Sequence, residues 1–116
     1  APVIAYAISV IKCGDKQTTS AGLLDAAVVL RHSVHETSVR GGDSHSKYDY
    51  KMYVIVHRQA EACTRELEAA GYERVIVDQP VYPQDIRGEY LRENVDKEWC
   101  CGSAEFVKLF AYNLTG

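Results

Sequence analysis

The sequence has no apolar run near the roughly 18 to 20 residues that a membrane-spanning helix needs. It also has no excess of positive charge, because 13 Lys and Arg against 16 Asp and Glu give a formal net charge of −3. No polybasic run interrupts this balance. These absences argue against a membrane span and against the basic surface of proteins that bind nucleic acids or anionic membranes. The expected partner is therefore a small molecule or another protein.

Cysteine is sparse as well. Cys13, Cys63, Cys100 and Cys101 are too few and too irregularly spaced to predict a disulfide scaffold, which favours a reducing compartment. The adjacent residues Cys100 and Cys101 indicate buried thiols or a local redox pair. The first eleven residues lack the basic start of a signal peptide, and the absence of an initial Met suggests that a segment upstream has been removed or left out.

Several catalytic and nucleotide-binding motifs are missing. The sequence contains neither the G-x-G-x-x-G of dinucleotide enzymes nor the Walker pattern of P-loop ATPases, and none of its serines lies in a nucleophile motif. His32 and His35 stand three residues apart on a predicted helix. A histidine pair without further ligands is usually two surface residues rather than a metal site.

What is present is typical of a soluble globular protein: 116 residues, 47% of them hydrophobic and 25% charged. This length predicts a single domain, residues 1–116. Apolar runs rich in β-branched residues predict three buried strands, at residues 3–11, 51–57 and 74–78. Because the first run does not alternate with polar residues, we expect it to be a central, parallel strand.

Helical spacing of apolar residues predicts helices between the strands. They run over residues 21–35, with a cap at Thr18, Thr19 or Ser20, and over residues 59–70, with Gly71 as the stop. Weaker spacing predicts further helices around Ile86–Val95 and after Ser103. The alternation predicts an α/β fold, a Rossmann-like and mainly parallel sheet with helices on both faces.

In such sheets ligands bind beyond the carboxyl ends of the strands. Lys12, Cys13, Gly14 and Asp15 follow the first strand, His57 and Arg58 the second, and Asp78 and Gln79 the third. These residues are the first candidates for a binding site.

The ordered set of sequence words resembles one family. Ala7-Ile-Ser-Val-Ile11, Tyr50-Lys-Met-Tyr-Val-Ile-Val-His57, the passage Leu67 to Asp78 and Glu105-Phe-Val-Lys-Leu-Phe-Ala-Tyr112 are similar to successive segments of glycosyltransferase family 8, the glycogenin-like enzymes. The last of these resembles the family's Lys-Leu-x-x-aromatic helix. The likeness extends over nearly the whole chain.

The resemblance implies a GT-A type of Rossmann-like fold that binds a uridine diphosphate sugar at the ends of the first strands. It implies a retaining hexosyltransferase that uses a divalent metal, usually Mn²⁺. Lys108 would be the cation near the diphosphate. Ile11, Lys12 and Cys13 would border the uracil.

Two departures from the family pattern stand out. Lys12-Cys13-Gly14 replaces the polar Thr-Asn pair that the family often carries, and no Asp-x-Asp metal motif occurs; the nearest approach is Asp43-Ser-His45. We therefore expect the chain to hold only the donor-binding half of the fold and to be inactive alone. It would be either a fragment or a protein that has lost the chemistry.

The same residues are compatible with other interpretations. Lys108 could be an ordinary solvated helix lysine. The chain could be a non-catalytic subunit that serves as a structural component of a larger assembly, or a generic nucleotide-binding module. Ending at Gly116, it would leave one side of the first strand unpaired, so we expect a continuation, a second copy or another subunit to cover that edge.

Overall fold

The computed structural model of the chain describes residues 2–13, 18–98 and 101–114. Its strands are β1 (Val3–Val10), β2 (Asp49–His57) and β3 (Glu73–Val77). Its α-helices are α1 (Ala21–Ser38), α2 (Glu66–Ala69) and α3 (Glu89–Glu98), and Gly102–Asn113 form a long 3₁₀ helix. Short 3₁₀ turns occupy Gly42–Ser44, Arg58–Ala60, Ala62–Thr64 and Pro83–Asp85. No helix in the described part of the chain is long and apolar enough to cross a membrane.

The three strands form one parallel sheet in the order β1-β2-β3. Val3 of β1 lies opposite Asp49 of β2, and Val10 lies opposite Val56. β3 pairs with the second half of β2 only, from Tyr53 opposite Glu73 to His57 opposite Val77. Because all strands run the same way, their carboxyl ends meet at one edge of the sheet. The α/β class and the parallel sheet that the sequence predicts are confirmed.

The central strand is β2, and the expectation that β1 lies at the centre is wrong. Val54 and Val56 of β2 are fully buried, whereas Val3 and Ile4 of β1 are 45% and 40% exposed. Within the described residues β1 pairs with β2 alone, so its apolar run lies at an edge of the sheet. None of the described strands pairs with the second flank of β1, which agrees with the expectation of an unpaired edge.

One face of the sheet is covered by α1 and the segment that leads into α2. Buried residues of this cluster include Val10, Ala27, Val54, Cys63 and Leu67. The sequence correctly placed the start of α1: the Ser20 side chain accepts a hydrogen bond from the amide of Leu23 at 3.2 Å. The helix continues past the predicted end at residue 35 to Ser38.

The helix predicted at residues 59–70 is broken into two 3₁₀ turns and the four-residue α2. The reason lies in tighter bonds to the third residue back, such as Glu61 amide to Arg58 carbonyl at 3.2 Å. Gly71 ends α2 as predicted. Its φ of 100° is a conformation that favours glycine, and it lets the Tyr72 amide bond to the Leu67 carbonyl at 3.1 Å.

The long 3₁₀ helix covers part of the opposite face, where Ile11 and Ile55 pack against Ala104 and Val107. Its buried and half-buried apolar residues recur every third position, at Ala104, Val107 and Phe110. A 3₁₀ helix places residues three apart directly above one another. This period brings one apolar stripe to the sheet, whereas Leu109 and Tyr112, on another side of the helix, are exposed.

Candidate functional site

A cleft of about 490 Å³ lies beyond the carboxyl end of β1, between the start of α1 and the long 3₁₀ helix. Three of the four site residues predicted from the sequence line it: Ile11, Lys12 and Lys108. The other lining residues are Ser9, Val10, Ser20, Leu23, Cys101 and Glu105. Lys108 is almost one hundred residues from Lys12 in the chain, so the fold alone brings them to one cavity.

The cleft carries two positive side chains and one carboxylate. Lys108 Nζ lies 2.6 Å from Glu105 Oε2, an ion pair in which the lysine side chain is 64% exposed and the glutamate 19%. The pair forms because residues three apart in a 3₁₀ helix are vertical neighbours. Any anion that binds Lys108 has to share this ammonium group with Glu105. Glu105 was not among the site residues predicted from the sequence, although its position three residues before Lys108 on a helix is typical of an ion pair.

The fourth predicted residue, Cys13, borders an adjoining cleft of about 260 Å³ rather than the first one. The two clefts share Lys12, Ser20 and Leu23. Cys13 is joined to Cys63 by a disulfide with a Cα–Cα distance of 6.1 Å, within the range that disulfides adopt. This disulfide was not predicted from the sequence, because the number and spacing of the cysteines indicated no disulfide scaffold.

Of the two neighbouring cysteines Cys100 and Cys101, the structure describes only the second. Cys101 is also disulfide-bonded, and Cys100 lies outside the described residues.

Hydrogen bonds fix both ends of the segment that follows β1. The side-chain amide of Gln59 donates to the Ile11 carbonyl at 2.9 Å. The Thr19 hydroxyl lies 2.7 Å from the Cys63 carbonyl and 2.5 Å from Glu66 Oε2. The bond from the Thr19 hydroxyl, together with backbone hydrogen bonds of Glu66 and Thr19, holds the pKa of Glu66 below 4.5. The segment that carries Lys12 is therefore anchored to the region after β2.

The remaining candidates at the strand ends serve other contacts. Arg58 and Asp78, at the ends of β2 and β3, form an exposed ion pair with Nε and Oδ1 3.2 Å apart. The Gln79 side-chain amide donates to the Ser103 hydroxyl at 2.8 Å and so joins β3 to the long 3₁₀ helix. Neither pair lines the cleft. The candidates Gly14 and Asp15 lie outside the described residues.

The described lining of the cleft does not fit a divalent metal. Such a hard cation requires several oxygen ligands, most of them carboxylates. Glu105 is the one carboxylate among the lining residues, and it already pairs with a lysine. Across the part of the chain that the structure describes, no group of three His, Cys, Asp or Glu side chains could hold a metal ion. We therefore derive no metal-dependent step for these residues.

No family model, curated protein or solved structure matches this chain.

Proposed function

We propose that this chain binds a uridine diphosphate sugar in the cleft beyond β1, as the donor-binding half of a glycosyltransferase of the glycogenin-like, GT-A type. One observation carries the proposal. Ile11, Lys12 and Lys108, which the resemblance assigns to the donor from distant parts of the sequence, line the same cleft. The position of the cleft at the carboxyl end of a parallel strand is the usual one for ligands in such sheets.

The chemistry of the lining suits this ligand. Lysine ammonium groups are point charges that bind phosphate oxygens well. The volume of about 490 Å³ lies in the range of typical small-molecule pockets, about 300 to 1,000 Å³. In this proposal Lys108 binds the diphosphate, and the backbone of Ile11 and Lys12 borders the base.

Affinity should be modest, because Glu105 competes for Lys108 and because the described lining has no set of carboxylates to hold a metal that would neutralise the diphosphate. We expect a Kd in the high-micromolar to millimolar range, equivalent to about −4 to −6 kcal/mol. Isothermal titration calorimetry and ligand-observed NMR with uridine diphosphate test this directly. Competition with uridine, pyrophosphate and adenosine diphosphate separates recognition of the base from recognition of the phosphates.

Variants provide the matched control. Lys108→Ala and Lys12→Ala should each weaken binding of uridine diphosphate, whereas Lys97→Ala, an exposed lysine of α3 outside the cleft, should not. Absence of binding at several millimolar ligand, with the protein folded by circular dichroism, would remove the proposal. Equal losses in all three variants would mean that the anion binds the surface without a specific site.

A second candidate is a structural role, in which the chain is a non-catalytic, glycosyltransferase-like component of a larger assembly. The observation that favours it is the edge strand β1. Val3, Ile4, Ala5 and Ala7 are all exposed, and β1 contains no Lys or Pro that would discourage strand addition. Such an edge is suited to pairing with another strand, which a second copy of this chain could supply.

Light scattering of the purified chain and hydrogen exchange of Val3–Val10 test this second role. We expect a concentration-dependent assembly in which the β1 amides that do not bond to β2 are protected only in the assembled form. Ala5→Lys should weaken the assembly by placing a charge on the edge, while Val29→Lys, on the exposed side of α1, should not. A stable monomer with fully protected β1 amides would contradict it.

A further inference from the structure

We propose that the Cys13–Cys63 disulfide reversibly restrains the backbone of Ile11–Cys13 at the cleft beyond β1, a restraint that we call the lock. A dithiol reductant would break the disulfide and so lower the affinity of the cleft for its ligand. This inference deepens the proposed function and rests on it for the identity of the ligand. The lock itself concerns the backbone of Ile11–Cys13, which can be measured with no ligand present.

The geometry points to Lys12 as the residue under control. Lys12 is the lining residue that both clefts share at the end of β1, and it stands between two anchored neighbours. On one side the Ile11 carbonyl is held by Gln59. On the other side Cys13 is bonded to Cys63. Breaking the disulfide removes the second anchor and leaves the first in place.

The same region beyond β2 holds the start of α1. Thr19 hydrogen-bonds to the carbonyl of Cys63, the residue to which Cys13 is joined. Cys63 thus contacts both the end of β1, through Cys13, and Thr19, the residue before Ser20, which lines the cleft. Reduction of the disulfide at Cys63 can therefore affect the cleft through the end of β1 and through the start of α1.

The surroundings of the two sulfurs suit reduction as well as oxidation. Cys63 is 3% exposed, but Cys13 is only half-buried, which leaves its sulfur the more accessible of the two. Both sulfurs lie near the carbonyl of Ala60, at 3.7 Å for Cys13 and 3.6 Å for Cys63. The Ala60 carbonyl already accepts a hydrogen bond from the Thr64 hydroxyl at 2.9 Å. Because a carbonyl oxygen can accept two hydrogen bonds, it can take a second one from the buried Cys63 thiol of the reduced form, while Cys13 is the more exposed of the two residues.

The exchange requires a dithiol as the two-electron reductant. Its thiolate attacks Cys13 Sγ and forms a mixed disulfide, while Cys63 leaves as a thiolate and takes up a proton. The second thiolate of the reductant then attacks its own sulfur in the mixed disulfide. Cys13 is released as a thiolate and is protonated, and the reductant becomes a cyclic disulfide.

The test compares the oxidised chain with the chain in dithiothreitol, using hydrogen exchange and titration with uridine diphosphate. Freeing the backbone of one residue corresponds to a factor of roughly 5 to 30 in an equilibrium constant, so we expect about tenfold weaker binding after reduction. The amides of Ile11–Cys13 should exchange faster, while the core amides of Tyr53–Val56 stay protected. Unchanged exchange of Ile11–Cys13 and unchanged affinity would overturn the lock.

A cysteine variant separates this disulfide from the bonded Cys101. The double variant Cys13→Ser/Cys63→Ser should bind like the reduced protein and should no longer respond to dithiothreitol. If it still responds, the effect belongs to Cys101 and the proposal is wrong. If uridine diphosphate binds neither form but the exchange of Ile11–Cys13 still follows the reductant, the lock stands and the proposed ligand fails.

Discussion

Replacing Glu105 by Gln should strengthen the binding of uridine diphosphate. The Glu105 carboxylate is 2.6 Å from Lys108 Nζ and lines the same cleft. It acts against a bound diphosphate in two ways: it occupies the ammonium group, and its charge repels the phosphates. Gln keeps the size of the side chain and removes the charge. The substitution therefore isolates the electrostatic effect.

The magnitude follows from the exposure of the two side chains. Lys108 is 64% exposed, so the ion pair itself contributes at most about 1 kcal/mol. Glu105 is only 19% exposed, and repulsion between unit charges about 4 Å apart amounts to roughly 1 to 4 kcal/mol between water and a protein surface. Taking the low end because the cleft is open to solvent, we expect a gain of about 1 kcal/mol, or roughly fivefold in Kd.

The assay is a double-mutant cycle by calorimetry, with Glu105→Gln, Lys108→Ala and the combined variant. Lys108→Ala should weaken binding by about tenfold, the loss of one charge-assisted contact to phosphate. In the combined variant Glu105→Gln should gain less than it gains alone, because the ammonium group that it frees is gone. High salt should reduce every one of these differences. Uridine, which has no phosphate, provides the control ligand.

One result would refute the reasoning. If Glu105→Gln weakens binding as much as Lys108→Ala does, the carboxylate holds Lys108 in its binding position and does not compete with the ligand. A gain of equal size with uridine would show that the effect is not electrostatic.

Further predictions concern the anchors and the chemistry. Tyr72→Phe removes the 2.6 Å hydrogen bond to the buried Ala27 carbonyl and should lower the free energy of unfolding by about 1 to 2 kcal/mol in urea titrations, with the 91% exposed Tyr112→Phe as neutral control. Burial raises the pKa of Tyr72 above 10.0, so the folded form retains the phenol proton, and its contribution to stability should disappear as the pH rises above 10.0. The lowered pKa of Glu66 has the opposite sign: its contribution is present above pH 4.5 and is lost below, and Thr19→Val should flatten that part of a pH–stability curve. With Mn²⁺ and a uridine diphosphate sugar, the purified chain should release no uridine diphosphate in a coupled assay, because the described cleft has a single, already paired carboxylate.

The sequence predicted the features that depend on neighbouring residues. Apolar runs located all three strands, Ser20 was among the residues predicted to cap α1, and Gly71 ends α2. Each is a local property: β-branched residues favour extended chain, a serine hydroxyl satisfies a free amide, and glycine adopts positive φ.

Features that depend on contacts between distant residues could not be predicted from the sequence in the same way. The run Val3–Ile11 indicated burial, but a strand's place at the centre or the edge depends on which segments lie beside it. The Cys13–Cys63 disulfide joins residues 50 positions apart, and only the pairing of β1 with β2 brings them together. The break in the predicted helix at residues 59–70 was not predicted either. Helical spacing alone does not distinguish an α-helix from successive 3₁₀ turns.

The candidate site differs from the edge of β1 in the way it is held. Exposure falls along the strand, from 45% at Val3 to 8% at Val10, and Ile11 is 7% exposed. The end that carries the cleft is enclosed by the long 3₁₀ helix and by the segment after β2, through Gln59 and Cys63. The exposed beginning of β1 is held by β2 alone among the described strands. Association at the edge and ligand binding at the cleft should therefore be separable: Ala5→Lys can weaken assembly without changing the affinity for uridine diphosphate, and reduction of the disulfide can change that affinity without altering assembly.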